Sequence, residues 1–390
     1  MTNQSTWRFM HAAKLAVMLV TLLAVLTTAA ACGEKPVVEK AGSQPDVSAG
    51  SSGNTDADAG MGAVDDAAAN IDESVDAAVD STTPPVDVKP QKTRKVVIGI
   101  VAKSQSNAVF QVAHTGARAA AKILGDEYGV DIELLIETPT DEDAQKQAEA
   151  IEMLSTRGAD GIAVSASDAS ILRAAIQKAV ERGSVVVCFD SDVPDSGRLA
   201  YYGTDDIDAG QRVMAELATV MDGQGVVAIL AGNQSAPNLQ KRKEGVLMEI
   251  EKHEGMSMLS DGVFYHEETP ERAAEAVNVA QSTSPQITGW AMIGGWPLFT
   301  NNALRWEPGA VKVVSIDALP AMLDYLDSGH VQVLLAQDCY GWGYESVRLI
   351  LDKVVRDTSP ENERIIAPLE RVTQDKVEAY RAKFKQWVDG

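Results

Sequence analysis

Short apolar runs alternate with amphipathic stretches from about residue 96 onwards. The runs Val96–Val101 and Val185–Phe189 are apolar at nearly every position, which is typical of strands buried on both faces of a parallel sheet. Between such runs, apolar residues recur at helical spacing, as they do from Val109 to Leu124. Regular alternation of strand and helix predicts an α/β fold, with a parallel sheet covered by helices on both faces.

The alternation occurs in two rounds, which predict two doubly wound sheets in tandem. The predicted strands are Val96–Val101, Ile132–Ile136, Gly161–Val164 and Val185–Phe189 in the first round, and Gly225–Leu230, Met258–Phe264, Trp290–Ile293, Val311–Ile316 and Val331–Ala336 in the second. Between the two rounds lies Tyr201–Asp206, whose glycine and short polar residues suit a crossover. Asp168 is expected to cap the helix that follows it.

Polar side chains follow three of these apolar runs directly. Asp190 follows the run that ends at Phe189, while Asp317 and Gln337 each follow a run of the second round. In open α/β sheets, small ligands bind outside the carboxyl ends of the strands. The three side chains are therefore expected to line one shared cleft.

The first 31 residues have the pattern of a signal peptide. Two basic residues precede the apolar run Leu15–Leu26, and small residues Ala29–Ala31 stand directly before Cys32. The apolar run is shorter than the roughly 20 residues that a membrane-spanning helix needs. Cys32 is placed as in the lipobox of bacterial lipoproteins, although Ala29 stands where Leu is usual. Lipidation of Cys32 is the expectation, and ordinary cleavage with an unmodified Cys32 is the alternative.

The stretch from Gly33 to Pro90 lacks aromatic residues and has 12 acidic residues against 3 basic ones. Such a composition cannot bury enough apolar surface to form a core. Residues 32–92 are therefore expected to be a lipidated cysteine followed by a disordered acidic tether.

Charge and cysteine content exclude several classes of function. The net charge of −22 and the absence of any block rich in Lys and Arg argue against nucleic-acid binding. Cys32, Cys188 and Cys339 lack the spacing of a metal site, and the latter two are expected to be small buried thiols. Neither His253 nor His266 has an evident nucleophile partner, and no hydrolase or nucleotide-binding motif occurs. No metal, cofactor or enzymatic activity is expected.

From about residue 94, the chain resembles the type I periplasmic solute-binding proteins, in particular the ribose- and sugar-binding branch that serves ABC transporters. The patterns that carry the resemblance are Ser104–Phe110 after the first strand, Phe189–Asp192 with Tyr202–Asp205, Gly232–Asn238 with Arg242–Gly245, and Ser315–Asp317 with Ala336–Gln337. The resemblance implies two doubly wound lobes joined by a three-strand hinge. An amino-terminal lobe of residues 93–204 plus 338–362 and a carboxyl-terminal lobe of residues 205–337 plus 363–390 would close around a solute.

The resemblance also implies which residues contact the ligand. Those residues are Asn107, Phe110, Asp190, Arg242, Asp317 and Gln337. Trp296 joins them because sugar C–H faces stack on aromatic rings, as Phe110 would also allow. Carboxylate, guanidinium and amide groups match the vicinal hydroxyls of sugars. Ala108 and Val109 replace the Pro-aromatic pair of the family, and Ser191 replaces an Arg, so a polyol-like ligand is expected rather than ribose itself.

Six of these seven residues have a simpler interpretation. Asn107 suits a helix cap, and Asp190 suits a cap or an ion pair. Arg242, between Lys241 and Lys243, suits a solvated charged face, and Gln337 suits a partner for crossover backbone groups. Phe110 has helical spacing typical of a core position, and Trp296 can simply pack under Pro297.

The function predicted from these features is a monomeric, lipid-anchored receptor in the cell envelope or periplasm. It would deliver a carbohydrate-like ligand to the permease of an ABC transporter. A ligand-sensing receptor for chemotaxis or signalling is the near alternative, because it would use the same binding fold. A repressor with this core would need a DNA-binding headpiece in place of the signal peptide and acidic tether.

Overall fold

Two six-stranded sheets organise the part of the chain that the computed structural model describes, residues 94–389, with side chains to residue 387. The predicted signal peptide, Cys32 and the whole of the predicted tether lie outside these residues. The elements in chain order are β1 (Arg94–Val101), α1 (Ala108–Glu127), β2 (Val130–Ile136), α2 (Ala144–Thr156), β3 (Gly161–Val164), α3 (Ala169–Glu181), β4 (Val185–Phe189), β5 (Ala200–Gly203), α4 (Asp206–Val220), β6 (Gly225–Gly232), α5 (Pro237–Ile250), β7 (Met256–Tyr265), α6 (Pro270–Thr283), β8 (Gly289–Met292), β9 (Lys312–Ile316), α7 (Pro320–Asp327), β10 (Val333–Ala336), α8 (Cys339–Arg356), β11 (Arg364–Ile366), β12 (Glu370–Val372) and α9 (Val377–Asp389).

The strand order is β11-β5-β4-β3-β1-β2 in the first sheet and β12-β10-β9-β8-β6-β7 in the second. All pairs are parallel except β10 with β12. The two doubly wound lobes predicted from the sequence are therefore confirmed. All nine predicted strands are present, and β5, β11 and β12 are additional.

Burial explains why the apolar runs became strands. Every residue of β3, all but the first residue of β4 and the last four residues of β1 are buried, as expected for parallel strands covered by helices on both faces. Six of the described helices begin where a side chain accepts hydrogen bonds from free backbone N–H groups. Asp168 accepts hydrogen bonds from the N–H groups of Ser170 and Ile171 at the start of α3, as predicted. No helix among residues 94–389 is both long and apolar enough to cross a bilayer.

The chain passes between the two sheets three times: after β5, after β10 and after β11. The first passage follows the strand Ala200–Gly203, so part of the predicted crossover is itself a strand of the first sheet. The third passage follows Arg364–Ile366, which pairs with β5. This strand lies beyond residue 362, so the first sheet extends further along the chain than the sequence indicates. The carboxyl ends of β4 and β9 carry Asp190 and Asp317.

Each lobe contains one pair of helices in backbone contact at glycine residues. Gly343 of α8 faces the carbonyl oxygen of Ala113 in α1, and Gly245 of α5 faces that of Ile207 in α4. A Cβ atom at either glycine would overlap the facing oxygen. These contacts bring α8 against α1 and α5 against α4, and they lie close in sequence to Trp342 and Arg242.

Candidate ligand-binding site

The two strand-end aspartates occupy equivalent positions in the two sheets, and both have left-handed backbone conformations. The φ angle is 55° at Asp190 and 75° at Asp317. Aspartate and asparagine adopt this conformation more readily than most residues other than glycine. Both side chains are buried, with relative exposures of 4% and 5%. The turns therefore hold two carboxylates inside the protein, where they need polar partners.

Asp190 is the centre of the polar contacts on the first lobe. Its Oδ2 accepts a hydrogen bond of 2.8 Å from the hydroxyl of Ser165, which follows β3. The same oxygen lies 3.5 Å from Nζ of Lys103, which follows β1. Three neighbouring strands of one sheet thus end in polar groups that meet, because the carboxyl ends of parallel strands share an edge.

Two residues of α5 reach Asp190 from the second lobe. Asn238 donates its Nδ2 to Asp190 Oδ1 over 3.0 Å and accepts from Lys103 Nζ over 3.1 Å. Arg242 Nη2 lies 3.7 Å from Asp190 Oδ1. These contacts join the two lobes directly through buried, charge-assisted hydrogen bonds.

Arg242 also organises the second lobe. It donates Nε to Asp206 Oδ1 over 3.0 Å, Nη1 to the Ile293 carbonyl over 3.2 Å and Nη2 to Gln337 Oε1 over 2.7 Å. Gln337 in turn donates Nε2 to Asp317 Oδ1 over 2.8 Å. The guanidinium is buried, which lowers its pKa, but the nearby carboxylates outweigh burial and raise the pKa above its ordinary value. It stays charged at any physiological pH.

Lys103 is equally buried, with 2% exposure. Burial alone would lower the pKa of its ammonium group, whereas the carboxylates of Asp190 and Glu268 raise it, and the net direction is upward. The lysine therefore carries its charge inside the site. Burial raises the pKa of Asp317.

Aromatic rings supply the apolar walls. Phe110 of α1 lies 6.1 Å from Trp342 of α8 between ring centroids, and Phe189 lies 6.4 Å from Trp342. On the second lobe, Trp296 is buried and donates its Nε1 to Glu268 Oε2 over 3.2 Å. Rings from both lobes thus flank the polar groups, which is the arrangement that a ligand with hydroxyl groups and C–H faces requires.

These groups enclose a cavity of about 20 Å³ between the lobes. The cavity has room for a molecule the size of water but not for a monosaccharide, so the lobes must part to admit one. The lining residues are Lys103, Asn107, Val109, Phe110, Asp190, Asn238, Leu239, Arg242, Glu268, Gly294, Trp296, Asp317, Gln337 and Trp342. All seven ligand contacts predicted from the sequence are brought together around this one cavity.

The simpler interpretations hold in part. Asn107 does cap α1, because its Oδ1 accepts from the N–H of Val109 over 3.2 Å, and it lines the cavity as well. Gln337 accepts from the hydroxyl of Thr204 at the first crossover over 3.0 Å. Arg242 has 2% exposure, so it does not lie on a solvated charged face.

Four residues that line the cavity and carry side-chain hydrogen-bonding groups were not predicted as ligand contacts: Lys103, Asn238, Glu268 and Trp342. Asn238 lies within the Gly232–Asn238 pattern, and Lys103 lies two residues after the first strand, so position alone was a usable signal for these two. Trp342 comes one helical turn after Asp338, the cap of α8. Nothing in the local sequence singles out Glu268, which reaches the cavity from the loop before α6.

A wider cleft of about 550 Å³ lies outside the cavity, and Glu268 lines both. Glu142 of the first lobe lies in the cleft and accepts from Asn233 Nδ2 of the second lobe over 2.9 Å. Burial, and then the negative charge of Glu268, raise the pKa of Glu142 to about 7. The cleft thus brings two carboxylates from opposite lobes close enough to affect each other's protonation.

No group of three or more His, Cys, Asp or Glu residues within 94–389 is arranged to hold a metal ion. Cys188 and Cys339 are free and buried, and burial raises the pKa of both thiols.

Comparison with known proteins agrees with this geometry. Residues 98–356 match the model of the periplasmic binding protein domain family. The D-ribose/D-allose-binding protein of Pseudomonas aeruginosa is 26% identical over 298 residues, which cover 73% of this chain and 90% of that protein.

Solved structures show the same fold. The solute-binding protein of an ABC transporter from Burkholderia graminis, in complex with D-arabinose, superposes with a TM-score of 0.65 at 24% identity, covering 73% of this chain and 97% of that one. A solute-binding protein from Bacillus halodurans with bound myo-inositol gives a TM-score of 0.66 at 22% identity, covering 76% and 100%. The family match, the two parallel-sheet lobes and the buried site between them together show that the chain belongs to the periplasmic binding protein family of extracytoplasmic solute-binding proteins.

Proposed function

We propose that this protein captures a sugar or sugar-like polyol between its two lobes and delivers it to the permease of an ABC transporter. The observation that carries the proposal is the cavity between the lobes. There, Asp190 from the first lobe and Arg242 and Asp317 from the second lobe meet between aromatic walls. Fixed carboxylate, guanidinium and amide groups satisfy vicinal hydroxyls, and rings cover the C–H faces.

The relatives support this class of ligand. The P. aeruginosa protein is named for ribose and allose, and the two structural neighbours hold arabinose and myo-inositol. Their ligands share rings that carry several adjacent hydroxyl groups. Lys103 adds a buried positive charge beside Asp190, which supports a ligand that offers acceptor oxygens on the first-lobe side.

The test is a thermal-shift screen of the purified protein against pentoses, hexoses and inositols, followed by chemical recovery of the solute. A ligand that binds only the folded form stabilises it by about 2.7 kcal/mol when its concentration is 100 times Kd. The expected result is a raised transition temperature with at least one sugar, and unaltered sugar recovered afterwards. A chemically changed sugar would mean an enzyme, and no shift with any sugar would refute the ligand class.

The delivery role needs a separate assay, because a sensory receptor would bind in the same way. Cells that lack the protein should lose uptake of the labelled sugar at low external concentration and regain it on complementation. Intact uptake combined with a lost chemotactic or transcriptional response to the sugar would favour the sensing alternative.

The proposed anchor is a lipid on Cys32, which would hold the receptor at a membrane. Its support is the run of small residues before Cys32, after an apolar run too short to span a bilayer. Changing Cys32→Ser should move the protein from the membrane fraction to the soluble periplasm of a Gram-negative host. Equal membrane retention of the variant would refute lipidation at this residue.

A further inference from the structure

Trp342 forms part of the cavity wall and has a buried hydrogen-bond donor without a partner. Its side chain is 1% exposed, and its Nε1 makes no hydrogen bond to any residue in the described part of the chain. Buried indole N–H groups usually have a partner, because an unpaired buried donor has lost its hydrogen bonds to water. An unpaired donor in the wall of a binding cavity is therefore a candidate contact for a ligand.

Three tryptophans of the second lobe provide a comparison. Trp290 is completely buried, and its Nε1 donates to Gln281 Oε1 over 2.8 Å. Trp296 donates to Glu268, as described above. Trp306 also lacks a partner for its Nε1, but it is only partly buried and does not line the cavity. Trp342 thus differs from the rest by combining burial, an unpaired N–H and a place at the cavity.

Packing restrains the Trp342 ring where it is. Its neighbours Phe110 and Phe189 lie 6.1 and 6.4 Å away between ring centroids, at interplanar angles of 38° and 35°. The adjacent Gly343 sits directly against the backbone of α1, so there is no free space between the two helices beside the indole. The indole therefore cannot turn towards another protein acceptor without disrupting the first lobe.

We propose that Trp342 is a ligand-binding residue that donates its indole N–H to an oxygen atom of the sugar beside the Phe110 ring. The assignment rests on the proposed function. An indole N–H only donates, so the ligand must present an acceptor there, such as a hydroxyl or ring oxygen. The binding site consequently recognises one particular oxygen of the sugar from the first-lobe wall, in addition to the hydroxyls bound by the charged groups.

The experiment compares Trp342→Phe with Trp290→Phe by calorimetry, using the sugar that gives the largest thermal shift and its series of monodeoxy derivatives. Trp342→Phe keeps an aromatic ring but removes the unpaired donor together with part of the indole, so it should weaken sugar binding about 3- to 10-fold. One deoxy derivative should bind both the wild type and Trp342→Phe with equal affinity, because it lacks the oxygen that the indole contacts. Trp290→Phe loses the bond to Gln281 and should lower the transition temperature more, without changing the affinity.

An independent readout is the indole resonance of Trp342 in protein labelled with ¹⁵N-tryptophan, which is identified by its loss in Trp342→Phe. The resonance should move downfield when the sugar is added, as expected for a newly formed hydrogen bond. Unweakened sugar binding by Trp342→Phe, or an unmoved resonance at saturation, would overturn this assignment while leaving the proposed function intact. If the wild type binds no sugar, both proposals fail.

Discussion

Replacing Asp190 by Asn removes the charge of the side chain while keeping its shape. Compared with a matched control variant, this substitution separates the effect on ligand affinity from the effect on the free energy of unfolding. Asp190 has a φ angle of 55°, which Asn tolerates as well as Asp does, whereas Ala would add backbone strain. The carboxylate accepts from Ser165 and Asn238 and neutralises the buried cations Lys103 and Arg242. The side-chain amide of the new Asn keeps one acceptor oxygen, but its NH₂ group would face a hydrogen-bond donor that the carboxylate now accepts from.

The size of the effect follows from these contacts. A hydrogen bond to a charged group contributes about 1.5–3 kcal/mol. Losing one such bond to a ligand hydroxyl corresponds to about a 10- to 150-fold loss of affinity. Removing the carboxylate should also lower the free energy of unfolding, by about 3–5 kcal/mol, mainly through the buried Lys103, because Arg242 keeps its ion pair with Asp206.

Asp192 offers a matched control only two positions away. It has nearly the same burial, 5% against 4%, and it pairs with Arg198 at 2.9 Å between Oδ2 and Nη2. It does not line the cavity. Asp192→Asn should therefore lower the urea midpoint about as much as Asp190→Asn does, without changing the affinity for sugar.

Calorimetry with the sugar selected by the thermal-shift screen, together with urea denaturation of both variants, measures these two effects separately. Equal affinities of Asp190→Asn and the wild type would refute the placement of the ligand at this carboxylate. A comparable loss of affinity in Asp192→Asn would mean that general destabilisation, rather than a lost contact, weakens binding.

Three further predictions concern packing, pH and closure. Gly343→Ala would push a Cβ atom into the Ala113 carbonyl oxygen and should cost about 1–3 kcal/mol of stability, seen as a lower urea midpoint; an unchanged midpoint would contradict the tight helix contact. Burial, and then the charge of Glu268, raise the pKa of Glu142 to about 7 in the closed form, and this pKa should return towards its ordinary value of 4.5 when the lobes part. Glu142 should therefore bind a proton when the lobes close. Because the closed form binds more protons than the open form, sugar affinity should fall as pH rises from about 5 to 7. Glu142→Gln should make the affinity measured by calorimetry nearly independent of pH in this range. If the affinity of the variant still depends steeply on pH, Glu142 is not the cause. Finally, a sugar that contacts both lobes should favour the closed state over the open one, so small-angle scattering should show a smaller radius of gyration with sugar than without, whereas equal radii at saturation would indicate a rigid site.

Much of the fold could be predicted because parallel strands covered on both faces must be apolar along their whole length. Val185–Phe189 is such a strand, and its predicted and observed bounds agree. The strand Arg364–Ile366 was not predicted, because three residues carry too little pattern and its pairing with β5 joins distant parts of the chain. For the same reason, the sequence did not indicate that the first sheet continues to residue 366.

The sequence by itself determined that Asp190, Asp317 and Gln337 stand at strand ends, since the carboxyl edge of a parallel sheet follows from strand direction alone. Only the tertiary structure decided which polar groups meet them. Lys103 pairs with Asn238 across 135 positions of sequence, and Glu268 enters the cavity from a loop with no local signature. Trp342 looks in sequence like any apolar helix residue, and only the packing of α8 against α1 leaves its N–H unpaired beside the cavity. Local pattern sets strands and their ends because it acts through nearest neighbours, whereas the charge balance and donor pairing of a buried site depend on which distant side chains the fold brings into contact.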